Sequence, residues 1–252
     1  YWPETIRALI IHSAQWTQAM KNVFSPLHTK DKYRQLLRYC GYGAPDEESL
    51  FWSSRNELTL IAQDFLQPYT NDKNGIKTRD INLHKLPWPA EVLRDLPSDT
   101  RVELKITLSY FIEPNPGSRG WANKYRYASH GLRFDVRRSL ESLPEFKQRI
   151  NQLSRDEEYN GAKPESGEWL LGEKLHGMGS VHSDTWTGQA AELADRNDIA
   201  VYPVLGWWKE RANLERWGKR ARYALIVSIK TPSVLTDIYT VVENQIAVLV
   251  EV

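Results

Sequence analysis

Six histidines, His12, His28, His84, His130, His176 and His182, supply this sequence with general bases, and two of them have an aspartate nearby: His130 with Asp135, and His182 with Asp184. A histidine oriented by a carboxylate and aimed at a serine would serve acyl transfer. Neither pair fits that use. His130 and Asp135 stand five positions apart in a segment that reads as a strand, which puts them on opposite faces of a sheet. No serine sits in a Gly-x-Ser-x-Gly or Gly-Thr-Ser context, so the histidines read as structural or surface groups. The string "HGMGSVHSD" offers His176, His182 and Asp184 to a metal. It matches no familiar zinc spacing, and no cysteine pair or His-Glu-x-x-His helix supports it. Gly41, Tyr42 and Gly43 make a turn without the rest of a dinucleotide fingerprint. No catalytic residue, metal ligand or cofactor is therefore assigned.

The polar feature that stands out is "GWWKERANLERWGKRARY", residues 206–223. Trp207, Trp208 and Trp217 interleave there with Lys209, Arg211, Arg216, Lys219 and Arg220. Stacking rings among cations suit a contact surface, and these eight residues are the candidate partner contacts. Glu210 and Glu215 partly neutralise the stretch, which favours a protein surface over nucleic acid. The plainer reading is a connection between two strands, with its tryptophans packed on the sheet edge and its arginines solvated. Carbohydrate is a further alternative, requiring two tryptophans side by side on a solvent face. "RGWANKYRYASHG" is a weaker aromatic loop of the same kind.

The bulk properties fit one large domain or two small ones in 252 residues. Thirty-three Lys and Arg against 32 Asp and Glu leave a formal charge of +1, so no global attraction to nucleic acid or anionic membrane is implied. Cys40 is the sole cysteine, which excludes an intramolecular disulfide and suits a reducing compartment. No apolar run is long enough to span a membrane. A cytoplasmic location is the expectation. The sequence opens at Tyr1 without an initiator Met, so the gene product's own N-terminus is expected to lie elsewhere. Ten tryptophans imply either large packed sheets or an aromatic contact surface.

Helices come first. Pro3 suits a first helical position and Glu4 the positive helix start. Ile6, Leu9, Ile10 and Ser13 follow at helical spacing, with Ala8 and Ile11 widening the apolar surface, so this helix is expected to be buried on most sides. A short helix is predicted over Asp31–Cys40, ended by Gly41, and another over Pro45–Trp52, whose first turn holds Asp46, Glu47 and Glu48. From about Asn56 the period shifts to two. "RVELKITLSYFI" alternates Val102, Leu104, Ile106, Leu108, Tyr110 and Ile112 with polar residues, and "GLRFDVRR" repeats the pattern. Further strands are expected over residues 58–65, 81–86, 199–207, 223–230 and 246–252. Helices are expected over 89–96 and over 143–155, the latter with a Ser142–Glu145 capping box. Loops are expected over 68–80, 115–128 and 160–167. The class is α+β: a helical opening, then a mostly antiparallel, jelly-roll-like β-sandwich with one or two inserted helices, the seam lying near Arg55.

Two stretches together resemble the end of a subtilisin-like serine protease domain. One is "PETIRALIIHSAQWT", where Pro3, Ile6, Arg7, Leu9, Ser13 and Ala14 match the pattern of a helix that follows the helix bearing the catalytic serine. The other is "GYGAPDEESLFWSS", where Gly41, Tyr42 and Gly43 lead into a further helix. The rest, including "VELKITLSYFIEPNP", "YRYASHGLRFDV", "HSDTWTGQAAELA", "IAVYPVLGWWKERA" and "DIYTVVENQIAV", is similar to the C-terminal β-domain of a bacterial branch of these proteases. The resemblance implies that residues 1–55 are the last helices of a catalytic domain and residues 56–252 a β-domain. It implies peptide-bond hydrolysis by the intact protein, protein or peptide substrates, the missing catalytic portion as a partner and, by the branch's habit, an AAA-type ATPase beside it. The family's Asp, His, oxyanion Asn and nucleophilic Ser all lie upstream of the matching region. None falls on residues 1–252, so this segment alone is expected to be inactive, with no nucleic-acid or membrane partner.

Overall fold

The computed structural model describes residues 1–46, 57–73, 75–116, 127–155, 169–172 and 179–232. In chain order these form helices α1 (Pro3–Ser13), α2 (Gln18–Val23) and α3 (Thr29–Cys40), strands β1 (Glu57–Leu66), β2 (Tyr69–Asp72), β3 (Gly75–Thr78) and β4 (Asn82–Lys85), and helix α4 (Ala90–Asp95). Strands β5 (Arg101–Tyr110) and β6 (Gly131–Val136), helix α5 (Leu143–Arg155), strand β7 (Val181–Gln189) and helix α6 (Ala190–Ala194) follow. Strand β8 (Asp198–Val204), helix α7 (Trp207–Glu210), two 3-10 turns and strand β9 (Ala221–Lys230) complete the described chain. It is a mixed α+β fold with antiparallel sheets. A four-stranded sheet runs in the order β1-β9-β5-β7, a three-stranded sheet in the order β4-β8-β6, and β2-β3 is a separate hairpin.

Period-two patterning builds the main core. Val102, Leu104, Ile106, Leu108 and Tyr110 of β5 all face it, as their alternation predicts, joined by Tyr223, Leu225, Val227 and Ile229 of β9. Leu132, Phe134 and Val136 of β6 and Ile199 and Val201 of β8 enter the same cluster from the three-stranded sheet. Trp186, from β7, is fully buried among them. The reverse faces are covered by helices. Phe146 and Ile150 of α5 pack on Ala200, Tyr202 and Val204. Ala8 of α1 packs on Ala224 and Ile226, with Leu9 at the margin.

That last contact corrects the expectation for α1. The helix does not bury its apolar side chains on most sides. It lays Glu4, Thr5, Ala8 and Ser13 inward and leaves Ile6 52% and Ile10 43% exposed. The reason is the surface beneath it: β5 and β9 present Thr107, Ser109, Ser228 and Ala224 on that side, so small and polar residues fit there.

Other differences have equally local causes. The loop expected over 68–80 contains the β2-β3 hairpin, paired from Tyr69 with Thr78 to Asp72 with Gly75. The strand expected over 199–207 ends at Val204, and Trp207 opens a helical turn. β7 has no sequence counterpart among the expected strands, because its inward positions are His182, Asp184, Trp186 and Gly188 instead of aliphatics. Most of the helix expected over Pro45–Trp52, the seam at Arg55 and the strand expected over 246–252 lie outside the described residues.

The capping box does form: Ser142 N–H donates to Glu145 Oε2 at 2.9 Å, and Glu145 N–H returns to Ser142 Oγ at 3.4 Å. Arg149 of the same helix donates to Asp135 at 2.6 Å and to Glu141 at 2.7 Å, tying α5 to β6. Burial alone would raise the Glu141 carboxyl, but hydrogen bonds from Arg149 and the Arg138 backbone hold it below its ordinary value. Removing the guanidinium leaves two half-buried carboxylates facing each other. We expect Arg149→Met to lower stability by about 2 kcal/mol, between surface and fully buried ion pairs. Urea unfolding at neutral pH checks this. The deficit should shrink as the pH falls through the lowered Glu141 value, where that carboxyl takes up its proton in either variant.

Candidate functional site

Most of the described histidines hold hydroxyls. His12, at the end of α1, contacts Thr107 Oγ1 through Nδ1 and Ser228 Oγ through Nε2, each at 2.9 Å. Thr107 in turn meets Ser183 at 2.8 Å. Burial, with Lys105 nearby, pulls the His12 pKa down to about 3, so the ring is neutral. With both nitrogens on hydroxyls, no carboxylate orients it, and a Ser-His pair of that kind has no means of stabilising an imidazolium. His84 contacts the Tyr223 hydroxyl at 2.6 Å, bridging the two larger sheets.

His182 and Asp184 do not form a dyad either. Asp184 accepts backbone N–H groups from Leu171, Gly172 and Thr185 at 2.8–3.0 Å. The His182 ring lies against Tyr110, whose hydroxyl donates to the Gly179 carbonyl. Burial pushes that phenol up to about 12. Asp135 is committed to Arg149, away from His130. Among the described residues no group of His, Cys, Asp and Glu is arranged to hold a metal ion, and His176 lies outside them. No described helix is long and apolar enough to cross a membrane.

A cleft of about 410 Å³ does gather chemistry. Its walls come from four segments that are distant in sequence. Glu4 stands at the start of α1, Phe111 to Glu113 leave β5, His130 leads into β6, and Trp208 joins Lys219 to Arg222 at the entry to β9. Gly206 makes this convergence possible. A Cβ there would lie 2.3 Å from the Ser129 carbonyl oxygen and 2.5 Å from His130 Cα. With only hydrogen at that position, the Trp207 and Trp208 amides donate to Ala128 and Ser129 carbonyls at 3.1 and 3.0 Å.

Glu113 is the hub. Its carbonyl accepts from the Trp207 indole at 3.0 Å. Its carboxylate accepts from the Trp208 indole at 3.1 Å and from Lys219 at 3.3 Å, with Arg216 at 3.8 Å. Its N–H donates to Ser129 Oγ at 2.9 Å.

Of the eight expected partner contacts, Trp207 and Trp208 turn inward, and of these two Trp208 alone borders the cleft. Trp207 and Trp208 are 0% and 4% exposed, because each indole N–H finds an acceptor on Glu113 and the rings pack with Tyr69 under the β2-β3 hairpin. Trp217 is half-buried against the same cluster. Lys219 and Arg220 are exposed, and they line the cleft with Trp208; Lys209, Arg211 and Arg216 are half-buried and do not line it. Among the described residues the condition for the carbohydrate alternative is not met. Among the described residues Trp88, Trp186, Trp207 and Trp208 are buried and Trp2, Trp16, Trp169 and Trp217 half-buried, so no pair lies side by side on a solvent face.

The sequence pointed to neither Glu4 nor Glu113, and it offered His130 only as half of a pair with Asp135 that its strand spacing set aside. Glu4 reads as a helix-start charge, and nothing local signals that it meets residues over one hundred positions away. The one available hint was the polar pair Ser129–His130 directly before a strongly alternating strand.

No family model, no curated protein and no solved structure matches this chain. The cleft must be read from its own geometry. Glu4 is 2% exposed. One of its carboxylate oxygens, Oε1, pairs with Arg222 at 3.1 Å. The other, Oε2, is buried without a hydrogen-bond partner among the described residues. His130, also 2% exposed, meets Ser129 Oγ through Nδ1 at 3.0 Å, while its Nε2 is likewise unpartnered. Burial lowers its pKa to about 4. An unmet carboxylate oxygen and an unmet imidazole nitrogen in one cleft, rimmed by cations, suit binding of a polar ligand.

Proposed function

We propose that this chain is the C-terminal, non-catalytic part of a subtilisin-like serine endopeptidase. Residues 1–55 would be the closing helices of its catalytic domain. Residues 56–252 would be a β-domain of jelly-roll-like sandwich type, with the four-stranded and three-stranded sheets as its layers. The intact protein would hydrolyse peptide bonds by serine attack, with a histidine base and an oxyanion hole supplied from upstream. This segment would give support, present substrate or dock a partner, an AAA-type ATPase among them, in the cytoplasm and without nucleic acid or membrane.

Helix α1 carries the reading. Its Pro3, Ile6, Arg7, Leu9, Ser13 and Ala14 resemble the family's helix, and its packing leaves a second face unused. Ile6 and Ile10 are exposed on it, and Arg7 of the same helix lies over Phe111, itself 47% exposed, at 4.1 Å. An apolar ridge on a helix already packed on its other side favours a second protein body. The resemblance names that body as the catalytic portion. For the sandwich, the support is the main core, which draws side chains from both sheets.

A fluorophosphonate probe tests the proposal. It should label a mixture of this chain with the preceding catalytic portion of the same gene product, and leave this chain alone unlabelled. Labelling of the isolated 252 residues would sink it. The double variant Ile6→Asp, Ile10→Asp should weaken association with that portion by about tenfold or more. Its own Tm should move by no more than a few degrees, since both side chains already face solvent.

A further inference from the structure

The tautomer of His130 follows from counting protons at Ser129. The Ser129 side chain is fully buried, and its Oγ already accepts the Glu113 N–H at 2.9 Å. Its own hydroxyl proton then needs an acceptor, and His130 Nδ1 at 3.0 Å is the one within reach among the described residues. A neutral ring that accepts at Nδ1 carries its proton on Nε2. The cleft therefore holds one buried N–H donor, His130 Nε2, and one buried acceptor, Glu4 Oε2, both unmet.

The cations around them are not equivalent. Arg222 is paired with Glu4, and Lys219 with Glu113. Arg220 lies over the Phe65 ring at 5.2 Å, and among the described residues no acidic side chain pairs with it. The lining charges, Lys219, Arg220 and Arg222 against Glu4 and Glu113, sum to one positive charge. Phe111, Ile112 and the Trp208 ring supply apolar wall.

We propose that this cleft binds the carboxylate end of a peptide. The ligand's carboxylate would sit between Arg220 and the His130 N–H, its last amide N–H would donate to Glu4 Oε2, and an apolar terminal side chain would lie on Trp208 and Phe111. Each unmet group then gains the partner it lacks, and the surplus positive charge is neutralised. A phosphate or bare anion would leave Glu4 Oε2 facing like charge, and a cation would leave His130 and Arg220 unmet. Choosing a peptide over other amide-bearing carboxylates rests on the peptidase reading above. The ligand chemistry itself rests on the cleft alone.

The test uses the full 252-residue chain and three small probes: N-acetyl-L-leucine, its primary amide and 4-methylpentanoate. Titration is followed by long-range proton–nitrogen spectra of the histidine rings. His130 should show the Nε2–H form before ligand is added. N-acetyl-L-leucine should shift that ring saturably at millimolar concentration, as befits so small a probe. The amide, which lacks the charge, and 4-methylpentanoate, which lacks the N–H, should each bind about tenfold more weakly. Arg220→Ala should weaken N-acetyl-L-leucine binding about tenfold, and Arg211→Ala should leave it unchanged. Equal binding of all three probes, no saturable shift, or a Nδ1–H ring would each overturn the proposal. None of these results touches fluorophosphonate labelling, so a failure here is distinct from failure of the peptidase reading.

Discussion

Trp207→Ala is expected to cost the fold about 3–5 kcal/mol, the range for deleting a large buried aromatic. The melting temperature should fall on the order of 10 °C for a chain of this size. The sequence offered this residue as a contact for a partner, and its surroundings give it a different task. Its ring is fully buried, meets Trp208 edge-on at 6.4 Å and packs with Tyr69. Its indole N–H donates to the Glu113 carbonyl at 3.0 Å. Truncation leaves a cavity and removes one of the two hydrogen bonds to the Glu113 carbonyl, which keeps the Ser129 N–H at 3.1 Å, at the hub that also positions Trp208. The contrast is Arg220→Ala in the same loop, an exposed position where stability should change by no more than about 0.5 kcal/mol. Urea unfolding of both variants separates the two roles. A Trp207→Ala protein as stable as its parent would return the ring to the contact surface.

What made that loop hard to read is general. A tryptophan has a large apolar body and one polar N–H, so composition says that it wants contact without saying whether the contact is internal. The deciding acceptor, Glu113, lies more than ninety positions away. By contrast, β5, β9 and α5 were legible because each carries its own periodicity or cap: Leu104 to Tyr110, the run Ala224 to Ile229, and Ser142 with Glu145. β7 was hidden because Asp184, bound by three backbone N–H groups, and Gly188, flush against the Trp186 ring, occupy positions where aliphatics normally signal burial. The β2-β3 hairpin was hidden for the opposite reason. Only Tyr69 and Ile76 reach an apolar cluster, too few to alternate visibly. The cleft was illegible as a whole, since its buried donor and acceptor come from residues 4 and 130 and meet only through the fold.

The same buried imidazoles make this fold sensitive to acid. His12 and His130 have folded pKa values of about 3 and about 4, against an ordinary value of 6.5. Burial is the main cause in both, with Lys105 adding to it at His12. Burial also lowers His84, although Asp64 opposes it. The folded state therefore holds these rings neutral while the unfolded chain takes up their protons. Their contribution is fully present above about pH 6.5 and drains away as pH falls toward 4 and then 3. Each group is worth about 1.4 kcal/mol per pH unit inside that window. Between pH 7 and pH 5, His12 and His130 together should remove about 4 kcal/mol, a large share of the stability of an ordinary domain. Carboxylates such as Glu141 act only below this range, so they do not obscure it. Urea unfolding at pH 7.5, 6 and 5 should show a slope of about two protons from these two rings, with His84 adding to it. His12→Gln keeps a polar side chain between Thr107 and Ser228 but cannot titrate, and should reduce that slope by about one proton. A slope that stays flat from pH 7 to 5 would mean that both rings reach water and charge freely in the folded protein.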